Sequence, residues 1–112
     1  MTSEINPEVR PPLLAEDLAH VLDRTRTCWE ELRGGALFVT GGTGFMGHWL
    51  VETFAHANDT LQLGARMTVL SRNPAAFARQ SPHLAGRRDL DWVVGDVRSF
   101  AFPSGRFSHV IH

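Results

Sequence analysis

The 112-residue chain contains no tyrosine and no lysine, so its eleven basic residues are all arginines. Any reaction that requires a catalytic tyrosine or lysine is therefore excluded for this chain acting alone. Its one cysteine, Cys28, cannot form an internal disulfide or a cysteine-based zinc site. The formal net charge of −1 offers no basic surplus for binding nucleic acid or anionic lipid.

Long apolar runs are also missing. No stretch approaches the roughly 18 apolar residues of a membrane span, and the first residues lack the cationic and apolar regions of a signal peptide. The remaining composition, 43% hydrophobic and 21% charged, is ordinary for a globular chain of one domain. These features predict a soluble, cytoplasmic protein.

The first third of the chain predicts a flexible lead-in at residues 1–12 and an N-terminal helix over residues 13–35. Apolar residues recur there at a helical spacing, and Gly34 supplies a stop. The predicted role is packing, with partner binding as the alternative. The stripe consists of Leu14, Leu18, Val21, Leu22, Cys28, Trp29 and Leu32.

Residues 36–112 alternate short apolar runs with helical patterns. We predict strands at 36–40, 67–71, 90–94 and 108–112, with a helix from Phe45 to Asn58 and another capped by Asn73, begun by Pro74 and ended by Pro82. This alternation predicts an α/β fold, the N-terminal half of a Rossmann-type domain, with a parallel sheet in the order 3-2-1-4. The last predicted strand is apolar and would leave a face and an edge of the sheet uncovered. We therefore predict that the chain is a fragment of a longer protein, or that it forms a homodimer through an exposed sheet edge or helix.

A glycine-rich loop, Gly41-Gly-Thr-Gly-Phe-Met-Gly47, follows the first strand and opens a helix. Gly41 would make the tight turn, Gly44 would let the backbone approach a pyrophosphate, and Gly47 would let the helix pack closely on the strand. A P-loop would next require Lys and Ser or Thr, where this chain has His48 and Trp49, so nucleotide hydrolysis is disfavoured. The alternative is a glycine-rich turn without a ligand.

Four motifs in order resemble the N-terminal part of an extended short-chain dehydrogenase/reductase. They are Thr40-Gly-Gly-Thr-Gly-Phe-Met-Gly47, Val69-Leu-Ser-Arg72, Gly95-Asp-Val97 and Val110-Ile-His112. More narrowly, the chain resembles the NAD-dependent epimerase/dehydratase group that acts on nucleotide sugars, and its first helix is similar to an N-terminal extension of dTDP-glucose 4,6-dehydratase-like members.

The resemblance implies a cofactor site and assigns roles within it. The backbone of the glycine loop would hold the pyrophosphate, Asp96 would accept a hydrogen bond from the adenine amino group, and the Val97 N–H would meet the adenine ring. His112, at the end of the fourth strand, would lie near where the family's cofactor runs. The alternative for Asp96 is a turn or cap residue, and the alternative for His112 is a partly buried strand histidine. The candidate cofactor-binding residues are Gly41, Thr43, Gly44, Phe45, Met46, Gly47, Ser71, Arg72, Asp96, Val97 and His112.

The end of the second strand bears on the choice between NADP and NAD. A carboxylate there would hold the ribose 2′-hydroxyl of NAD, but the chain has Ser71-Arg72-Asn73. Arginine can bind a 2′-phosphate through two hydrogen bonds, which favours NADP. The alternatives for Arg72 are stacking on adenine and facing solvent.

The chain departs from the family in its catalytic residues. The family's Ser/Thr and Tyr-x-x-x-Lys motif would lie beyond the fourth strand, and this chain has neither Tyr nor Lys. It is therefore predicted to be the cofactor-binding segment of an NAD(P)-dependent nucleotide-sugar epimerase or dehydratase. The alternative is a truncated, catalytically silent module that binds a dinucleotide or self-associates.

One further constellation lies on the helix after the glycine loop. His48, Glu52 and His56 are spaced four apart on one face and could bind a metal. A solvated helix face is the simpler explanation and is what we predict.

Overall fold

The structure, a computed structural model, describes residues 13–40, 45–96 and 107–111, and for residues 45 and 46 it describes the backbone alone. The predicted lead-in at residues 1–12 lies outside this range. The elements in chain order are α1 (Ala15–Glu30), β1 (Ala36–Thr40), α2 (Phe45–Leu61), β2 (Arg66–Ser71), α3 (Pro74–Gln80), α4 (Pro82–Ala85), β3 (Leu90–Val94) and β4 (His109–Ile111).

The four strands form one parallel sheet in the order β3-β2-β1-β4. This confirms the predicted α/β class and strand order, and the arrangement is consistent with a Rossmann-like fold. In the part of the chain that the structure describes, no helix combines the length and apolar character needed to cross a membrane.

The core lies between the sheet and the helices on one of its faces. Alternate residues of β1 and β2 point to that face, because side chains alternate along a strand. There Leu37 and Val39 of β1 join Leu22 of α1, Phe54 of α2 and Phe77 of α3 in one buried cluster. The sheet thus holds α2 and α3 on the same side, with α1 packed against α2.

The N-terminal helix is shorter than predicted. α1 ends at Glu30, so Arg33 lies beyond its last turn, where it pairs with the Glu30 carboxylate at 2.8 Å. Gly34 adopts a positive φ of 69° and donates its N–H to the carbonyl of Leu63 at 2.8 Å, which ends the turn after α1. Cys28, a member of the predicted apolar stripe, is exposed.

Two other helix boundaries differ from the prediction. α2 continues through Asn58 to Leu61, because the Asn58 side chain bonds to the backbone of Ala65 and to the Asp89 carboxylate instead of ending its own helix. The connection between α2 and β2 is therefore only residues 62–65, shorter than the stretch 59–66 that lies between the predicted helix and strand. Pro82 does not simply stop a helix. It begins α4, since proline suits the first helical position.

Candidate functional site

The candidate site is the edge of the sheet at which the parallel strands end. Thr40, the last residue of β1, is level with Leu70 of β2, and Ser71 is level with Val94 at the end of β3. β2 and β3 lie on one side of β1 and β4 lies on the other, so the chain order reverses between β1 and β4. In open parallel sheets this switch point is where ligands bind.

The first turn of α2 begins beside that switch point. α2 starts at Phe45, five positions after β1 ends at Thr40, and the backbone of Phe45, Met46 and Gly47 is helical. The first N–H groups of a helix have no partner within it and carry a partial positive charge. No acidic residue occupies this turn. Three predicted site residues of the connecting loop, Gly41, Thr43 and Gly44, lie outside the described residues.

The turn after β2 holds two more predicted residues. Ser71 is buried, and its hydroxyl accepts the N–H of Asn73 at 3.1 Å. The Asn73 side chain in turn accepts the N–H of Ala76 at 3.1 Å and caps α3, as predicted. The oxygens of Ser71 and Asn73 therefore maintain the turn, whereas Arg72 between them is exposed.

The end of β3 is joined directly to this turn. The N–H of Gly95 donates to the carbonyl of Ser71, the last residue of β2, at 2.9 Å. Asp96 is the next residue after Gly95 and is partly buried. The structure thus brings Ser71, Arg72 and Asp96 to one edge of the sheet. Val97 and His112, the remaining predicted site residues, lie outside the described residues.

A network of ion pairs lies at the opposite end of the sheet. Asp89 precedes β3, and although burial raises the pKa of its carboxyl, hydrogen bonds from Arg87 and Asn58 lower that pKa below the ordinary value. Arg87 also contacts Asp59 at 2.7 Å, and its pKa is raised mainly by its hydrogen bonds to Asp89 and Asp59. This network joins the end of α2 to the start of β3, so its role is structural.

A buried polar cluster beside α2 corrects the prediction of a solvated helix face. Its members are His48 and Glu52 of α2, Ser81 of the turn after α3, and His83 of α4. His48 and Glu52 are only 5% and 4% exposed and Ser81 is buried, whereas His83 is an exposed residue at the edge of the cluster. Glu52 pairs with His83, and His48 is hydrogen-bonded to Ser81 at 3.2 Å. Among the described residues, no group of three or more His, Cys, Asp or Glu could hold a metal ion.

One sequence signal could have revealed this burial. Most residues of α2 between Phe45 and Ala57 are apolar, and they occupy all sides of the helix. A helix that is apolar on all sides is buried, so its few polar residues must find partners inside the protein.

An apolar groove of about 800 Å³ separates α1 and α2 from β4. It lies on the helix-covered side of the sheet, and sequence analysis did not predict it. Its lining includes Val21, Trp29, Leu37, Trp49, Leu50 and Ile111. Such a lining suits packing against another apolar surface better than binding a charged dinucleotide.

Comparison with protein-family models, with curated proteins and with solved structures found no match to this chain.

Proposed function

We propose that this chain binds NADP or NAD at the carboxyl ends of its strands, as the cofactor-binding segment of an NAD(P)-dependent nucleotide-sugar epimerase or dehydratase. One observation carries the binding proposal: the first turn of α2 begins five positions after β1, at the switch point of a parallel sheet in the order β3-β2-β1-β4. The more specific family rests on the resemblance of the four motifs. A cytoplasmic location remains a prediction.

The described residues fit such a ligand. The N–H groups of Phe45, Met46 and Gly47 supply donors for the diphosphate, and no carboxylate in that turn would repel it. Arg72, exposed between two turn-forming side chains, is available to pair with a 2′-phosphate. Asp96 lies beside the same turn and would accept the adenine amino group.

In this proposal the chain binds the cofactor, and residues outside this chain carry out the acid–base chemistry. When bound, the nicotinamide would take a hydride from the sugar and return it. This chain would bind and orient the cofactor, since it has no tyrosine or lysine to supply the family's acid and base.

A second function, self-association, is favoured by the surface around β4. Val110 is 59% and Ile111 40% exposed, and the apolar groove lies next to them. A second copy of this chain that packs there would cover apolar area and pair the edge of β4.

Calorimetric titration with NADPH and NADH tests the main proposal, with ATP and magnesium as the control ligand. We expect both dinucleotides to bind, NADPH more tightly, and ATP to bind much more weakly because the lysine of a P-loop is missing. A folded protein that takes up neither dinucleotide would show that the glycine loop has no such ligand.

A further inference from the structure

The buried polar cluster of His48, Glu52, Ser81 and His83 lies between α2 and the segment 81–85. Ser81 is 0% exposed, and the side chain of His83 is 26% exposed. The cofactor roles proposed above do not use the cluster.

Three side-chain contacts of the cluster join α2 to another segment. His48 Nδ1 is hydrogen-bonded to Ser81 Oγ at 3.2 Å, and His83 Nε2 contacts Glu52 Oε1. The other Glu52 oxygen accepts the N–H of Leu13 at 2.6 Å. The His48 ring also packs on Phe77, with centroids 5.6 Å apart.

Stability alone does not account for these residue types. Burying a carboxylate and an imidazole is costly, and apolar side chains of similar volume often serve as well or better. Polar contacts differ in being directional, because they are satisfied only in one relative placement of the two segments. The cluster is therefore suited to setting a geometry.

The spacing of the two contacts shows that they hold α2 in one rotation and one axial position against the segment 81–85. His48 and Glu52 lie four residues apart, about 6 Å along the axis of α2, and their partners Ser81 and His83 lie two residues apart. Rotating or sliding α2 against that segment would break both contacts at once. Ser81 is also the N-cap residue of α4, yet its hydroxyl makes no capping bond there.

We propose that this cluster fixes the rotation and axial position of the first turns of α2, which makes His48 and Glu52 positioning residues for the N–H groups of Phe45, Met46 and Gly47. His48 is the fourth residue of α2, so it belongs to the same turn as those donors. The effect on dinucleotide affinity rests on the proposed function, whereas the fixed helix start does not require a ligand.

Amide hydrogen exchange in the ligand-free protein tests the helix start directly. Ser81→Ala removes the hydroxyl next to His48 without removing a helix cap. We expect the amides of residues 49–53, the first that can bond within α2, to exchange about fivefold faster, as for one lost buried hydrogen bond. The control, Thr25→Ala, removes the side-chain bond to Trp29 in α1 and should leave these amides unchanged.

His83 supplies a second, independent pair of variants. His83→Leu removes one of the two contacts described for Glu52, and His83→Gln restores a donor of similar reach. We expect faster exchange in residues 49–53 for the leucine variant and wild-type exchange for the glutamine variant. Unchanged exchange in both Ser81→Ala and His83→Leu would overturn the proposal.

Titration of the same variants with NADPH and NADH separates the two proposals. We expect Ser81→Ala to weaken both dinucleotides about equally, by roughly fivefold, and Thr25→Ala to weaken neither. Faster exchange with unchanged affinity would overturn the positioning role. If the wild type binds neither dinucleotide, the proposed function fails, and the exchange data alone decide whether the cluster fixes α2.

Discussion

Arg72 shows how much a single residue depends on its neighbours. The Ser71 hydroxyl accepts the N–H of Asn73, and the Asn73 side chain accepts the N–H of Ala76 at the start of α3, at 3.1 Å each. These bonds hold the backbone on both sides of Arg72, so its guanidinium extends from a fixed base. A fixed base lowers the entropy lost when an arginine binds a phosphate.

Replacing Arg72 with alanine tests the choice of cofactor. We expect Arg72→Ala to weaken NADPH binding about tenfold, because the charge-assisted hydrogen bonds to a 2′-phosphate are lost, and to change NADH binding less than about twofold. Calorimetry with both dinucleotides provides the measurement. Arg79→Ala, at an exposed arginine of α3, should change neither affinity. Equal weakening of the two dinucleotides would rule out the 2′-phosphate contact.

Asp96 gives a prediction that does not depend on the 2′-phosphate. Asp96→Ala should cost about 1 kcal/mol or more in affinity for NADPH and NADH alike, because a hydrogen bond to the adenine amino group would be lost from both. Circular dichroism should confirm an intact fold. An unchanged affinity in a folded variant would leave Asp96 as a turn residue only.

At the scale of elements, local signals predicted strands better than helix ends. β1 at 36–40 and β3 at 90–94 have the predicted bounds, because a short apolar run between turn residues defines a buried strand locally. The end of α2 could not be predicted, because the partners of Asn58 include Asp89, 31 residues away. The partners of His48 and Glu52 could not be predicted for the same reason, since Ser81 and His83 lie 33 and 31 residues further along the chain.

The cap of α3 is an element that local sequence did predict. Asn73→Ala should lower the free energy of unfolding by about 1 kcal/mol, because the N–H of Ala76 loses its acceptor at the helix start. Urea denaturation measures the change. Asn73→Asp keeps an acceptor at this position and should stay close to the wild type. An alanine variant as stable as the aspartate variant would contradict the capping role.

The Asp89 network joins the end of α2 to the start of β3 and should respond to pH. Because the folded state lowers the pKa of Asp89 below its ordinary value, the ionised carboxylate stabilises the protein above that ordinary pKa. This contribution is lost as the pH falls through the folded-state pKa. We therefore expect the stability difference between the wild type and Asp89→Asn to shrink from about pH 6 to about pH 3.

Urea denaturation across that pH range measures this difference. Arg87→Gln provides the matched background, because it removes the guanidinium that contacts Asp89 at 2.8 Å. In that background the effect of Asp89→Asn should vary less with pH. A difference that stays constant with pH in the wild-type background would show that Asp89 titrates alike in the folded and unfolded states.

At the scale of the whole molecule, two valines on the outer strands of the sheet offer a matched comparison. Val94 at the end of β3 is 71% exposed, and Val110 in β4 is 59% exposed. The two valines therefore do not differ much in exposure. They differ in their surroundings, because the apolar groove lies between β4 and the helices and its lining includes Val110. If this chain self-associates, the β4 side supplies more apolar area to bury than an isolated valine does.

Sedimentation equilibrium should accordingly detect a dimer whose dissociation constant rises at least about tenfold in Val110→Lys, because the charge opposes burial of the β4 edge. Val94→Lys introduces the same charge on the other outer strand and should leave the dimer intact. The reverse pattern would place the interface on β3. A wild type that stays monomeric over the accessible concentrations would contradict self-association while leaving dinucleotide binding, which uses the carboxyl ends of the strands, unaffected.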